Sequence, residues 1–324
     1  MTCGYSNSSK EPLVCCPSIE TGISNGGNGN SGSNDYTEDN EDYGADSGVG
    51  SVLLPSSTAC GVPQLIAGTP PRTDQQAGPT RIGAHPWVAR IGFRNLNSGA
   101  VEFVCSGAII SEKAVLTAAH CLSARGPGFQ LTVVRVGEYD TGGDPDCSTS
   151  VCAFPVRDIV VNRATPHPNF DSTSFRNDIA VITLRATLNF TINVQPICVL
   201  TRASAGLIGR RALVVGWGRL ASQQRVQNQQ QALDVPVLQP DRCQRFYIAQ
   251  YAGAQDQRVC AGGEQGRDLC AGFSGAPLMV RAGGIGSYFL IGVRAFGSDQ
   301  CGALGAANVY TSVARYTAFI RNNM

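Results

Sequence analysis

The stretch DLCAGFSGAPL, Asp268 to Leu278, decides how the rest of this sequence is read. Within it Ser274 stands between glycines, four residues after Cys270. A serine hydroxyl attacks a carbonyl only when a base takes its proton, and the chain offers three histidines. One of them, His120, lies in LTAAHC (116–121), directly before Cys121. An aspartate able to orient that imidazole, Asp178, opens the apolar run NDIAVITL (177–184). Taken singly, a serine between glycines is a turn, and an aspartate before IAV caps a strand. Together they run in the order His, Asp, Ser. That order describes a general base, the carboxylate that holds its tautomer, and a nucleophile. His85 (in AHPW) and His167 (in PHPN) lack such surroundings and read as loop or turn residues.

Outward from these residues, short β-rich runs are separated by Gly and Pro signals. Expected strands are 87–93, 101–110, 131–139, 179–184, 212–217, 288–296 and 309–313. Strands at this spacing, with few helical patterns between them, suggest an antiparallel barrel or a sandwich. The end of the chain differs. Val313, Tyr316, Phe319 and Ile320 share one face at helical spacing, and Thr311 or Ser312 would cap the start of that helix.

The order His120, Asp178, Ser274, the cysteine after the histidine, and the segments VVGWG (214–218) and NVYTSV (308–313) resemble the chymotrypsin family of serine proteases. The resemblance runs from Pro86 to the end. It implies an all-β protein of two six-stranded antiparallel Greek-key barrels with a C-terminal helix, over residues 60–324. It also implies an oxyanion hole from the backbone N–H groups of Gly272 and Ser274. Five disulfides follow from it: Cys60–Cys198, Cys105–Cys121, Cys147–Cys152, Cys243–Cys260 and Cys270–Cys301. Asp268 matches the carboxylate at the base of a pocket that selects Arg or Lys, against the alternative of a surface turn aspartate. Phe296 and Gly297 would form the wall that aligns a substrate backbone.

Three departures from that pattern bear on activity. Phe273 stands where the family has the aspartate that pairs with a new N-terminal ammonium after activation cleavage, and a phenyl ring cannot accept an ammonium. Asn308 replaces a pocket glycine, where its side chain would fill the pocket or hydrogen-bond to Asp268. The closest activation sequence, IAGT (66–69), follows Leu65 rather than Arg or Lys, and Arg72 and Arg81 lack the expected sequence after them.

A narrower resemblance is to arthropod clip-domain proteases. GEYDTGGDPDCSTSVC (137–152) is similar to their insertion loop, and residues 1–21, with Cys3, Cys15 and Cys16, to the last half of a clip domain. Residues 22–59 are rich in Gly, Ser, Asn and acidic residues and read as a disordered spacer, or as an acidic docking segment. The opening MTCGYSNSSK has no apolar h-region, and the expectation is a longer natural chain.

Thirteen cysteines without metal-site spacing imply a secreted disulfide framework. A net charge of +1 and the lack of a long basic block argue against nucleic acid as a partner. No apolar run approaches a membrane span. Asn189-Phe-Thr and Asn7-Ser-Ser are N-glycan acceptors by pattern. Glu138, Asp140, Asp144 and Asp146 could hold Ca²⁺, although a solvated acidic loop accounts for them too, and no metal or organic cofactor is expected. The functional expectation is a secreted, trypsin-like endopeptidase of an arthropod cascade such as innate immunity, melanisation or coagulation. Its partners would be polypeptide substrates or cascade proteases. The alternative is a catalytically weak or inactive homologue acting as a binding adaptor.

Overall fold

The computed structural model describes residues 60–64, 77–148, 152–202, 205–247, 257–281, 286–298 and 300–324. A two-residue strand β1 (Gly78–Pro79) precedes six strands, β2 (Val88–Asn95), β3 (Val101–Ile109), β4 (Ala114–Thr117), β5 (Phe129–Val136), β6 (Arg157–Pro166) and β7 (Ala180–Leu184). These close as a barrel in the order β2-β3-β4-β7-β6-β5, every pairing antiparallel. After β8 (Cys198–Val199) come β9 (Arg211–Gly216), β10 (Gln231–Leu238), β11 (Arg258–Gly262), β12 (Pro277–Arg281), β13 (Tyr288–Phe296) and β14 (Ala307–Ser312). They form a second closed antiparallel barrel, β9-β10-β11-β14-β13-β12 and back to β9. β1 adds to β10, and β8 pairs in parallel with β13. Closure leaves neither barrel an open edge.

Each barrel is filled by alternate strand residues. Ile91, Ile109, Leu116, Val134 and Ile182 are buried in the first; Val214, Leu233, Leu278 and Tyr310 are buried in the second. The first core runs on into the second barrel through Val215, Trp217, Met279, Tyr288 and Leu290, so one dry cluster joins the two. Trp87 sits at its centre and donates its indole N–H to Met279 Sδ at 2.8 Å. The resulting seam carries the candidate site.

All seven expected strands are present with ends displaced by no more than a few residues. The strands β1, β4, β6, β8, β10, β11 and β12, and helix α1 (Pro240–Phe246), are not among those expected from the sequence. The C-terminal helix corrects the expectation in detail. Val313–Tyr316 is a single 3₁₀ turn, and α2 (Thr317–Asn323) follows it. Ser312 holds the cap position without a side-chain bond, and the Thr311 hydroxyl instead donates to the carbonyl of Asp178 at 2.8 Å. His85 and His167 lie in the turns expected for them, packed on Trp87 and Tyr288 and on Tyr316 and Phe319 respectively.

Disulfides join Cys60 to Cys198, Cys105 to Cys121, Cys147 to Cys152, Cys243 to Cys260 and Cys270 to Cys301, the five pairs named above. The expectations for the clip segment, the acidic spacer, Asn7, the IAGT segment and Arg72 fall outside the described residues. Among the described residues, no helix is long and apolar enough to cross a membrane.

Candidate active site

His120 lies on a 3₁₀ turn, Ala119–Ser123, that leaves β4 at the mouth of the first barrel. Its Nδ1 is 2.7 Å from Oδ2 of Asp178, and its backbone N–H donates to Oδ1 of the same carboxylate at 2.8 Å. Asp178, fully buried just before β7, is thus held by both ends of one residue, and its carbonyl by Thr311 from the second barrel. A buried carboxylate facing Nδ1 fixes the proton there and leaves Nε2 as the acceptor.

Ser274 comes from the other barrel. Its carbonyl accepts the N–H of Ser106 on β3 at 2.8 Å, which fastens the nucleophile loop across the seam. Gly275 has φ +72°, and a Cβ there would lie 2.5 Å from the Thr117 hydroxyl and 3.1 Å from Cys121 Sγ. No other residue lets the loop come this close. Cys121 Sγ in turn lies 3.7 Å from His120 Nε2. The structure therefore brings His120, Asp178 and the Ser274 loop to one seam. It joins the first two directly and makes no hydrogen bond from the serine hydroxyl to the imidazole. Resting sites of this kind often close that bond only around substrate. The Cys105 and Cys121 sulfurs beside the imidazole are joined to each other, so they offer no thiolate to a metal.

The N–H groups of Gly272, with φ +90°, and Ser274 have no acceptor among the described residues, which leaves both open to a developing oxyanion. Phe273, between them, is 0 % exposed. Its ring lies against the backbone of Gly216 and Gly218, and a Cβ on Gly218 would fall on the ring itself. VVGWG is therefore glycine-rich where the phenyl group packs. Ala276, two residues after the serine, is fully buried.

The residues expected to line the pocket include one hydrogen-bonded group. Asp268 is 3 % exposed, and its Oδ1 accepts from the N–H of Leu269 at 2.7 Å and from Asn308 Nδ2 at 2.6 Å. Oδ2 accepts from the N–H of Gly302 at 3.0 Å. The alternative reading of Asp268 as a surface turn residue is thereby corrected. Asn308 Oδ1 accepts from Arg294 Nε at 3.0 Å, and a terminal nitrogen of Arg294 donates to the Leu269 carbonyl at 3.2 Å. Arg294 is buried beside them; burial pulls its guanidinium below the ordinary value, while the nearby Tyr310 and Asp268 oppose that. The residue was missed because a charge inside the apolar run YFLIGVRAF reads as facing out. A bulge between Arg294 and Phe296 against β14 alters the register there.

Phe175 was missed too. Its ring is 5.7 Å from His120 and 5.3 Å from Phe296, which also meets Tyr247 edge-on at 5.1 Å. Ring contacts thus run from His120 through Phe175 to Phe296.

The insertion loop is tied to the site by Trp217, whose indole donates to the Tyr139 carbonyl at 3.1 Å. Its acids are solvated only in part, with Asp144 exposed and Asp140 half-buried. Glu138 and Asp146 are buried, and Asp146 accepts from the N–H groups of Tyr139 and Asp140. Asp140 accepts from Gly142 N–H, and Asp144 from that of Val156. Asp140 and Asp146 hold the loop's own backbone, while Glu138 faces Arg135 at 3.5 Å. Asn189 is exposed in a connecting segment.

Comparison with known proteins agrees with this architecture. The family profile described as Trypsin matches residues 75–320. A CLIP domain-containing serine protease B4 of Anopheles gambiae is 35% identical over 85% of this chain and 75% of its own. Phenoloxidase-activating factor 3 of Holotrichia diomphalia is 34% identical, over 84% of this chain and 76% of its own. Melanization protease 1 of Drosophila melanogaster is 32% identical, over 85% and 70%. On its fold, its seam of His, Asp and Ser, and these matches, the chain belongs to the trypsin family of serine proteases.

Proposed function

We propose that the protein is an extracellular serine endopeptidase of an insect-type proteolytic cascade. Ser274 is the nucleophile, His120 the general base and Asp178 the carboxylate that orients it and stabilises the imidazolium. The N–H groups of Gly272 and Ser274 receive the oxyanion. The observation that carries this reading is the doubly bonded His120–Asp178 pair beside the serine loop. The five disulfides support an oxidising compartment, and the exposed Asn189 supports an N-glycan there. Relatives named for phenoloxidase activation and melanization support polypeptide substrates in such a cascade. Residues 1–21 would be part of a clip module, with 22–59 as its spacer.

Phe273 sets the loop by packing rather than by charge, so the site needs no new ammonium. A second reading, a binding adaptor without turnover, is favoured by the filled pocket around Asp268. A fluorophosphonate probe separates the two. Labelling of Ser274, absent in Ser274→Ala and equal before and after trypsin treatment, is expected of the enzyme. No labelling under either condition leaves the adaptor.

A further inference from the structure

We infer that Arg294 closes the primary side-chain pocket to basic residues. It acts as a built-in arginine where a substrate's own would go and leaves space at the mouth only for a small, uncharged side chain. The inference deepens the protease reading and rests on it for the identity of the cleft. Three observations carry it, and each concerns a different property of the pocket.

The first is occupancy. Gly297 forms the wall, yet a Cβ built on it would fall on Asn308 Oδ1 and lie 2.8 Å from a terminal nitrogen of Arg294. The volume below the wall is thus filled by two side chains of the chain itself. The second is valence. Asp268 already accepts from Leu269 N–H, Asn308 Nδ2 and Gly302 N–H, in good directions and at short distance. A guanidinium or ammonium arriving from outside would have to displace Asn308 to reach it. The third is charge. Asp268 contributes one negative charge and Arg294 one positive, with Asn308 bridging them, so the base of the pocket offers no net attraction for a cation. A substrate arginine would meet a like charge in a dry site, which is how a site rejects a partner.

Arg294 is also built in firmly. It stands on β13, and its backbone N–H and carbonyl pair with Ala276 and Gly275 of the nucleophile loop. The same residue therefore fills the pocket and supports the loop that carries Ser274. Displacing it by rotation would break its bonds to Asn308 and to Leu269 together.

The test uses benzamidine, whose amidinium imitates an arginine head and whose binding needs no working serine. Calorimetry on the full chain should detect no saturation of the wild-type protein, and saturable binding after Asn308→Gly combined with Arg294→Val. Wild-type binding with Kd below about 1 mM overturns the inference. So does the lack of any gain in a double variant that retains the wild-type circular dichroism; if that variant does not fold, the wild-type titration decides alone. A second arm compares aryl phosphonates carrying an alanine or a lysine side chain. Alanine is expected to label Ser274 faster by at least about tenfold, and the reverse order overturns the inference. If neither phosphonate reacts, the protease reading falls, while the benzamidine result still decides whether the pocket is closed.

Discussion

A phenyl ring at position 273 changes what holds the nucleophile loop. A charged side chain there would need a buried partner, and one left alone in a dry site is strongly destabilising. Phe273 needs only apolar contact, which Gly216 and Gly218 provide by exposing backbone where a side chain would have stood. Truncating it leaves a void in a rigid loop. Phe273→Ala is expected to cost about 3–5 kcal/mol of stability by urea titration and to slow fluorophosphonate labelling of Ser274. A loss under about 1 kcal/mol would mean that the ring does not hold the loop. The loss of the family aspartate was legible in the sequence. Which surface the replacement would choose was not, because packing partners from β9 become neighbours only on closure.

At the scale of the element, the insertion loop buries two carboxyls, Glu138 and Asp146. Burial pushes the Glu138 carboxyl above its ordinary value, although Arg90 and Arg135 pull the other way. An acid favoured in its protonated form stabilises the fold below its unfolded pKa, near 4.5. That stability is lost as pH rises through the higher folded value. Glu138→Gln keeps the shape without the charge, so it should flatten the decline of Tm as pH rises above about 4.5 relative to wild type. An unchanged decline would show that Glu138 does not set it. Elements that are continuous apolar runs, such as NDIAVITL and YFLIGVRAF, were readable from sequence. β6, RDIVVNRATP, was not, since its charged residues line a half-exposed barrel wall. β10 hid behind Asp234 and Pro236, and Asp234 is tolerated there because Arg211 binds it at 2.6 Å. Arg294 was illegible for a related reason. Its compensating groups, Asp268 and Asn308, lie 26 and 14 positions away and meet it only across the closed barrel.

On the scale of the whole molecule, two barrels share one dry core, and the candidate catalytic residues lie along their joint. His120 and Asp178 belong to one barrel, Ser274, Asp268 and Asn308 to the other, with Ser106 and Thr311 each reaching across. The two-barrel plan came from resemblance rather than from strand spacing, which left barrel and sandwich open. The disulfide pairs also came that way, since spacing alone does not decide connectivity. One of these bonds has a consequence for how processing would look on a gel. Cys60 is linked to Cys198, 138 positions onward, so scission anywhere in residues 65–76 yields two polypeptides still covalently attached. After limited digestion there, the product should keep its full mass in denaturing electrophoresis until thiol is added, and then separate into two bands. Separation without thiol would mean that the bridge is not formed.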